Sequence, residues 1–173
     1  LKSKYFHMKR ITILLLVFLN AACGQNASTE TTTYYLIRHA EKDLSDPKNP
    51  NPDLTEAGIA RSVKWQKMLS HIDFDAVYST DFVRTRQTAT PIAESEKLPL
   101  IIYDHKNLDY AKFIKETQGK TVLIVGHSNS TPKFVNQLIG EDRFKEIDEN
   151  QYGMLFIVKR SGNLKDVTVL EVN

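Results

Sequence analysis

Apolar and polar positions follow two different periods along the chain, and the switches between them mark the elements. Residues 33–37, Thr-Tyr-Tyr-Leu-Ile, form a short β-branched and aromatic run that passes straight into Arg38-His39 with no turn residue between. Residues 46–53 hold three prolines, which forbid helix and ladder alike, so they predict a loop that starts beside that pair and is placed to overhang it. From Leu54 the pattern predicts a helix to about Ser70, capped by Thr55 or Asp53, with Ile59, Val63, Trp65 and Leu69 toward the core. A strand at 74–79 follows, then a helix carrying Arg84, Gln87, Thr88 and Ala89. Arg84 and Thr88 are i, i+4 neighbours on one face, whereas Arg86 points away.

The same alternation continues to the C-terminus. Residues 100–103 read as a strand that ends in Asp104-His105, and a helix over about 108–117 is closed by Gly119. Val122-Leu123-Ile124-Val125 is the most clearly buried strand and runs into Gly126-His127-Ser128-Asn129. A helix over 131–139 has Pro132 in its first turn and Gly140 just past its end. Segments 154–159 and 164–170 pair as a hairpin around Ser161-Gly162-Asn163. Strand and helix in regular succession imply an α/β fold: a three-layer α/β/α sandwich with a mostly parallel sheet and right-handed crossovers. With 173 residues and no linker after residue 32, the body 33–173 is one domain.

The first residues do not belong to that pattern. Met8-Lys9-Arg10 gives a basic start, 11–19 is apolar apart from Thr12, and Asn20-Ala21-Ala22 leads to Cys23, which is the order of a secretory leader. The apolar run is shorter than the roughly 20 residues of a spanning helix. Cys23 is the only cysteine, so no internal disulfide is possible, and its setting resembles the lipid-accepting cysteine of a bacterial lipoprotein. One departure is Asn20 in the place of the usual leucine, with Leu19 one position earlier. The expected organisation is a leader over 1–22, a small polar tether over 23–32 and the folded domain. That predicts a cell-envelope protein lipid-anchored through Cys23 or, if cleaved nearby, a plain secreted or periplasmic one. Lys2, Lys4, Lys9 and Arg10 precede the first acidic residue, Glu30, so the net charge of +2 becomes mildly acidic once the leader is set aside. No nucleic-acid groove is implied.

Parallel strands bring their ends to one rim, where ligands of open α/β sheets bind. Here the rim receives Arg38-His39, Ser79 with Arg84, Asp104-His105 and His127. Two histidines with a carboxylate suit zinc, but fixed positive charge from Arg38 and Arg84 repels a divalent cation and attracts an oxyanion, so neither metal nor cofactor is expected. Guanidinium forks match phosphate oxygens, and nearby positive charge keeps a histidine neutral and nucleophilic. The chemistry that fits is attack of His39 on phosphorus, with Arg38, Arg84 and His127 binding the phosphoryl oxygens.

Four segments carry a family resemblance. Leu36-Ile37-Arg38-His39-Ala40-Glu41, Leu54-Thr55-Glu56-Ala57-Gly58, Ser79 to Ala89 with Arg84, and Val125-Gly126-His127-Ser128 resemble successive motifs of the histidine phosphatase superfamily, the phosphoglycerate mutase-like proteins. The resemblance implies that fold, a phosphatase acting on a phosphorylated small molecule or phosphoprotein, and a phosphohistidine intermediate on His39. It also implies Arg38, Arg84 and His127 as the phosphate pocket, and a proton donor to the leaving group beyond the third strand, where Asp104 holds the nearest position, with Glu41 and His105 as rivals and a turn cap as the other reading of Asp104. Ala40 stands where the family has glycine, and the asparagine that many members place after the nucleophile has no match among residues 42–47. The short connections resemble those of small, open members, phosphohistidine phosphatases among them, and leave little room for a mutase's enclosed site. A non-catalytic lipoprotein that binds or senses a phosphorylated ligand is the alternative.

Overall fold

A computed structural model describes residues 30–172, so the leader over 1–22 and Cys23 lie outside the described residues. Ten elements follow in order: β1 (Thr32–Arg38), α1 (Glu56–Met68), β2 (Ala76–Thr80), α2 (Val83–Ser95), β3 (Leu100–Tyr103), α3 (Tyr110–Glu116), β4 (Thr121–Gly126), α4 (Ser130–Ile139), β5 (Met154–Ser161) and β6 (Leu164–Glu171). The sheet order is β3-β2-β4-β1-β5-β6. The first four of these are parallel, and β5 and β6 close the sheet antiparallel as the expected hairpin. No helix among the described residues is long and apolar enough to cross a membrane.

Alternation along β1 and β4 builds two cores, because successive side chains of a strand leave on opposite faces. Tyr34, Leu36, Val122 and Ile124 pack with Phe113 of α3 and Phe134, Val135 and Leu138 of α4. Ile37, Leu123 and Val125 pack on the other face with Trp65 of α1 and Ala89 and Ile92 of α2. The chain therefore leaves β1 toward one layer and its neighbour β4 toward the other. That divergence opens a crevice at the carboxyl ends of these two strands, the switch point at which α/β sheets bind ligands. In register there, Arg38 lies opposite Gly126, and His39 donates its backbone N–H to the Gly126 carbonyl at 2.9 Å.

Two expectations change in three dimensions. Helix α1 turns Gly58, Ser62 and Trp65 inward, with Leu69 at its C-cap also buried, while Ile59 and Val63 are exposed. Burying Trp65 and Leu69 yields roughly 1.5–3 kcal/mol each. The same stripe places Gly58 against the chain after His39, where an added Cβ comes within 2.3 Å of the Glu41 carbonyl oxygen. Thr55 is the N-cap, accepting from the Gly58 N–H at 3.1 Å. The proline-rich loop, in turn, does not overhang His39. It is drawn toward α2, where Asn51 Oδ1 accepts from the Val83 N–H at 2.9 Å and Gln87 bridges the Leu54 N–H and the Asp53 carboxylate.

The contact at Gly58 makes a test of this docking. Gly58→Ala is expected to lose about 1–3 kcal/mol of stability through overpacking, despite alanine's better helix propensity. Urea unfolding midpoints compared with wild type measure it.

Candidate active site

Arg38 ends β1 fully buried, and a buried charge persists only if it is paired. Its Nη1 donates to the carbonyls of Asp148 at 2.8 Å and Gln151 at 3.1 Å, its Nη2 to the Glu149 carboxylate at 2.8 Å, and its guanidinium stacks over Tyr152. The loop before β5 is thus gathered over the strand end. Arg38 Nε and Arg84 Nε and Nη1 are buried and make no hydrogen bond among the described residues, so these donors are left for an anion.

His39 follows directly and is also buried. Its Nδ1 lies 2.7 Å from the Ala40 carbonyl oxygen. A carbonyl only accepts, so Nδ1 carries the proton and Nε2 keeps its lone pair. Burial, followed by the charges of Arg38, Arg84 and Lys42, lowers the pKa of this ring to about 4. The next backbone N–H, of Ala40, donates to Thr88 Oγ1 at 3.0 Å, and that hydroxyl donates to the Arg84 carbonyl at 2.7 Å. Arg84 and Thr88 do share a face, and that face is docked on the turn that carries His39.

His127 reaches the site from the end of β4, its N–H capped by Ser130 Oγ at 3.0 Å. A chain of hydroxyls sets its tautomer. Thr85 donates to the Thr80 carbonyl, Thr80 donates to Thr85 Oγ1 at 3.0 Å, and Thr80 Oγ1 is left to accept from His127 Nε2 at 2.9 Å. Its Nδ1 then accepts from Arg84 Nη2 at 3.5 Å. Burial first, and Arg84 next, hold its pKa down to about 3. The His39 and His127 rings stand 5.4 Å apart.

These side chains line a cleft of about 280 Å³ together with Lys42, Phe82, His105, Ser128, Asn129, Glu146 and Glu149. Of the residues expected at the site, His39, Arg84 and His127 line it, and Arg38 abuts it through Glu149. Asp104 does not join them. It lies in a neighbouring groove, and its carboxylate accepts from the Asn107 side chain at 2.7 Å and the Lys106 N–H at 2.9 Å. Those bonds, Asn107 first, keep its carboxyl below the ordinary range. Its assignment as proton donor is therefore corrected to the turn cap that the same position allowed. Glu41 is held elsewhere by Arg61 at 2.8 Å, while His105 does reach the cleft.

Glu149 in the cleft was not legible beforehand, because one acidic residue in the run 146–150 is like another until Arg38 selects it. Its carboxyl is held below the ordinary range, first by the Ser128 hydroxyl and then by Arg38 and Lys42. Ser128 follows His127 directly, and nothing local marks its hydroxyl as one that faces the cleft.

Neutral imidazoles at this site set a pH dependence. Unfolded histidines take up protons near pH 6.5, whereas His39 and His127 in the fold do so only near about 4 and about 3. Their contribution to stability is complete above about pH 6.5 and is lost as pH falls to about 4 for His39 and about 3 for His127, because the unfolded state then binds more protons. Urea midpoints are expected to fall steadily through that window. The C2–H proton resonances of both rings are expected to keep their neutral shifts from about pH 8 to about pH 5.5.

Residues 34–107 match the Histidine phosphatase superfamily (branch 1). No curated protein matches the chain. Among solved structures, a candidate phosphohistidine phosphatase SixA from Agrobacterium tumefaciens is 20% identical, with a TM-score of 0.61 over 82% of this chain and 99% of that one. A candidate alpha-ribazole-5'-P phosphatase from Escherichia coli is 17% identical, with a TM-score of 0.64 over 82% and 96%. Phosphoglycerate mutase from Bacillus anthracis is 15% identical, with a TM-score of 0.61 over 84% and 94%. The chain therefore has the phosphoglycerate mutase-like α/β fold, and the stretch that carries Arg38, His39 and Arg84 matches the histidine phosphatase superfamily.

Proposed function

We propose that this chain is a histidine phosphatase that hydrolyses phosphomonoesters or phosphohistidine through a phosphohistidine enzyme intermediate, without a metal. The observation that carries the reading is the His39 tautomer: a buried imidazole whose Nδ1–H is fixed on the Ala40 carbonyl, so that Nε2 keeps its lone pair in the field of Arg38 and Arg84. Attack of Nε2 on phosphorus breaks the bond to the leaving group, which departs with its electron pair, and forms the P–N bond. Water then attacks the same phosphorus and returns the imidazole. The buried donors of Arg38 and Arg84 meet the charge on the equatorial oxygens, and they cost no reorganisation because the fold already holds them. A dianion beside His127 favours protonation of its Nδ1, which turns that atom from an acceptor into a further donor. The fixed charge of Arg38, Arg84 and Lys42 disfavours a divalent cation here.

The similarity to proteins described as phosphohistidine and alpha-ribazole-5'-P phosphatases supports the reaction class and leaves the substrate open. The leader-like segment and Cys23 support export and lipid anchoring in a bacterial cell envelope as part of the same proposal.

The test is hydrolysis of p-nitrophenyl phosphate in EDTA. Wild type is expected to turn over, and His39→Ala to lose roughly a thousandfold or more. Quenched wild-type reactions are expected to show a phosphoenzyme that is labile in acid and stable in alkali, as a P–N bond is, and His39→Ala none. Phosphate binding without turnover in the wild type overturns the enzyme reading in favour of a sensing module.

A further inference from the structure

The cleft already contains a carboxylate. Glu149 Oε2 lies 2.8 Å from Arg38 Nη2 and 3.4 Å from Lys42 Nζ, and its Oε1 accepts from Ser128 Oγ at 2.5 Å. These donors arrive from the end of β1, the segment after it and the turn between β4 and α4. They converge on one anion with the donor set a phosphoryl group takes: guanidinium, ammonium and hydroxyl. The backbone that carries Glu149 is fixed on both sides, by Arg38 Nη1 on the Asp148 and Gln151 carbonyls and by the Ile147 N–H on the Ser128 carbonyl at 3.0 Å. The side chain itself is 58% exposed, so it alone is free to swing out.

We propose that Glu149 is an internal competitor for the anion site, and that a phosphoryl ligand takes Arg38 Nη2, Lys42 and Ser128 only by displacing it. The inference rests on the phosphatase reading of the cleft. Arg38 Nε and the Arg84 donors remain for the incoming group to engage first. A carboxylate and a phosphoryl dianion cannot share a cleft of about 280 Å³ without strong repulsion. Held on an anchored loop, Glu149 competes as an intramolecular ligand does, at a high effective concentration. It weakens every anion alike, product phosphate included, and so sets the affinity of the site and speeds its clearing after hydrolysis. Glu146 also lines the cleft but reaches only Ser128, at 3.5 Å.

Calorimetric titration of the full chain with inorganic phosphate separates contact from general charge. Glu149→Gln is expected to bind phosphate about tenfold more tightly than wild type. Glu149→Asp keeps the charge but withdraws it by one methylene, and is expected to tighten binding too. Glu146→Gln removes the same charge from the same mouth and is expected to change affinity less than about threefold. Unchanged or weaker binding by Glu149→Gln overturns the proposal, as does an equal gain in Glu146→Gln. Loss of turnover on alkyl phosphates by Glu149→Gln, with phosphate affinity unaltered, overturns it in favour of a proton-donating role. Phosphate binding by none of the four proteins removes both this proposal and the phosphatase reading, whereas binding that ignores residue 149 removes this one alone.

Discussion

A fully buried guanidinium at the end of β1 governs the architecture of the site. Removing Arg38 from water costs several kcal/mol, and the fold offsets that cost only by bringing it partners. Two backbone carbonyls, one carboxylate and a tyrosine ring come from the loop before β5, more than a hundred residues away in sequence. The loop that shapes the cleft is in this sense a consequence of the charge beneath it. The partners do not saturate Arg38, because Nε remains without one among the described residues, and Arg84 is left with two such nitrogens. A scaffold that buries more cationic donors than it satisfies favours an anion over a cation beside them.

The same excess of positive charge explains the histidines. In water an imidazole beside two guanidinium groups would still be partly protonated near pH 6. Here burial adds to the repulsion, and hydrogen bonds choose the tautomer of each ring: the Ala40 carbonyl for His39 and the Thr80 hydroxyl for His127. The chemistry is therefore encoded less in the two rings than in what holds their other nitrogens. Thr80, Thr85 and Thr88 are all fully buried hydroxyls, and each links an element of the scaffold to a side chain or turn of the cleft.

How much of this could be read beforehand depended on range. Strand ends that pass directly from apolar runs into charged residues are a local signal, and Arg38, His39 and His127 stood out for that reason. Arg84 was legible from helical spacing relative to Thr88. Asp104 was misread because position after a strand says that a residue is near the rim but not which way its carboxylate turns, and local bonds to Lys106 and Asn107 decided that. The inward face of α1 was misread for a related reason. Periodicity ranked Ile59 and Val63 as core, whereas close approach to Glu41 required Gly58 on the inward face, which carries Ser62 and Trp65 with it.

The sequence by itself determined the order of elements, the α/β class and the candidacy of Arg38, His39, Arg84 and His127, because each depends on neighbours within a turn or a strand. Only the tertiary structure decided the sheet order that sets β1 beside β4, the tautomers of His39 and His127, and the arrival of Glu149, Lys42 and Ser128 around one anion position. Those features follow from the need to pair a buried charge and to satisfy buried polar atoms. Both are conditions on groups distant in sequence, and no local pattern can express them.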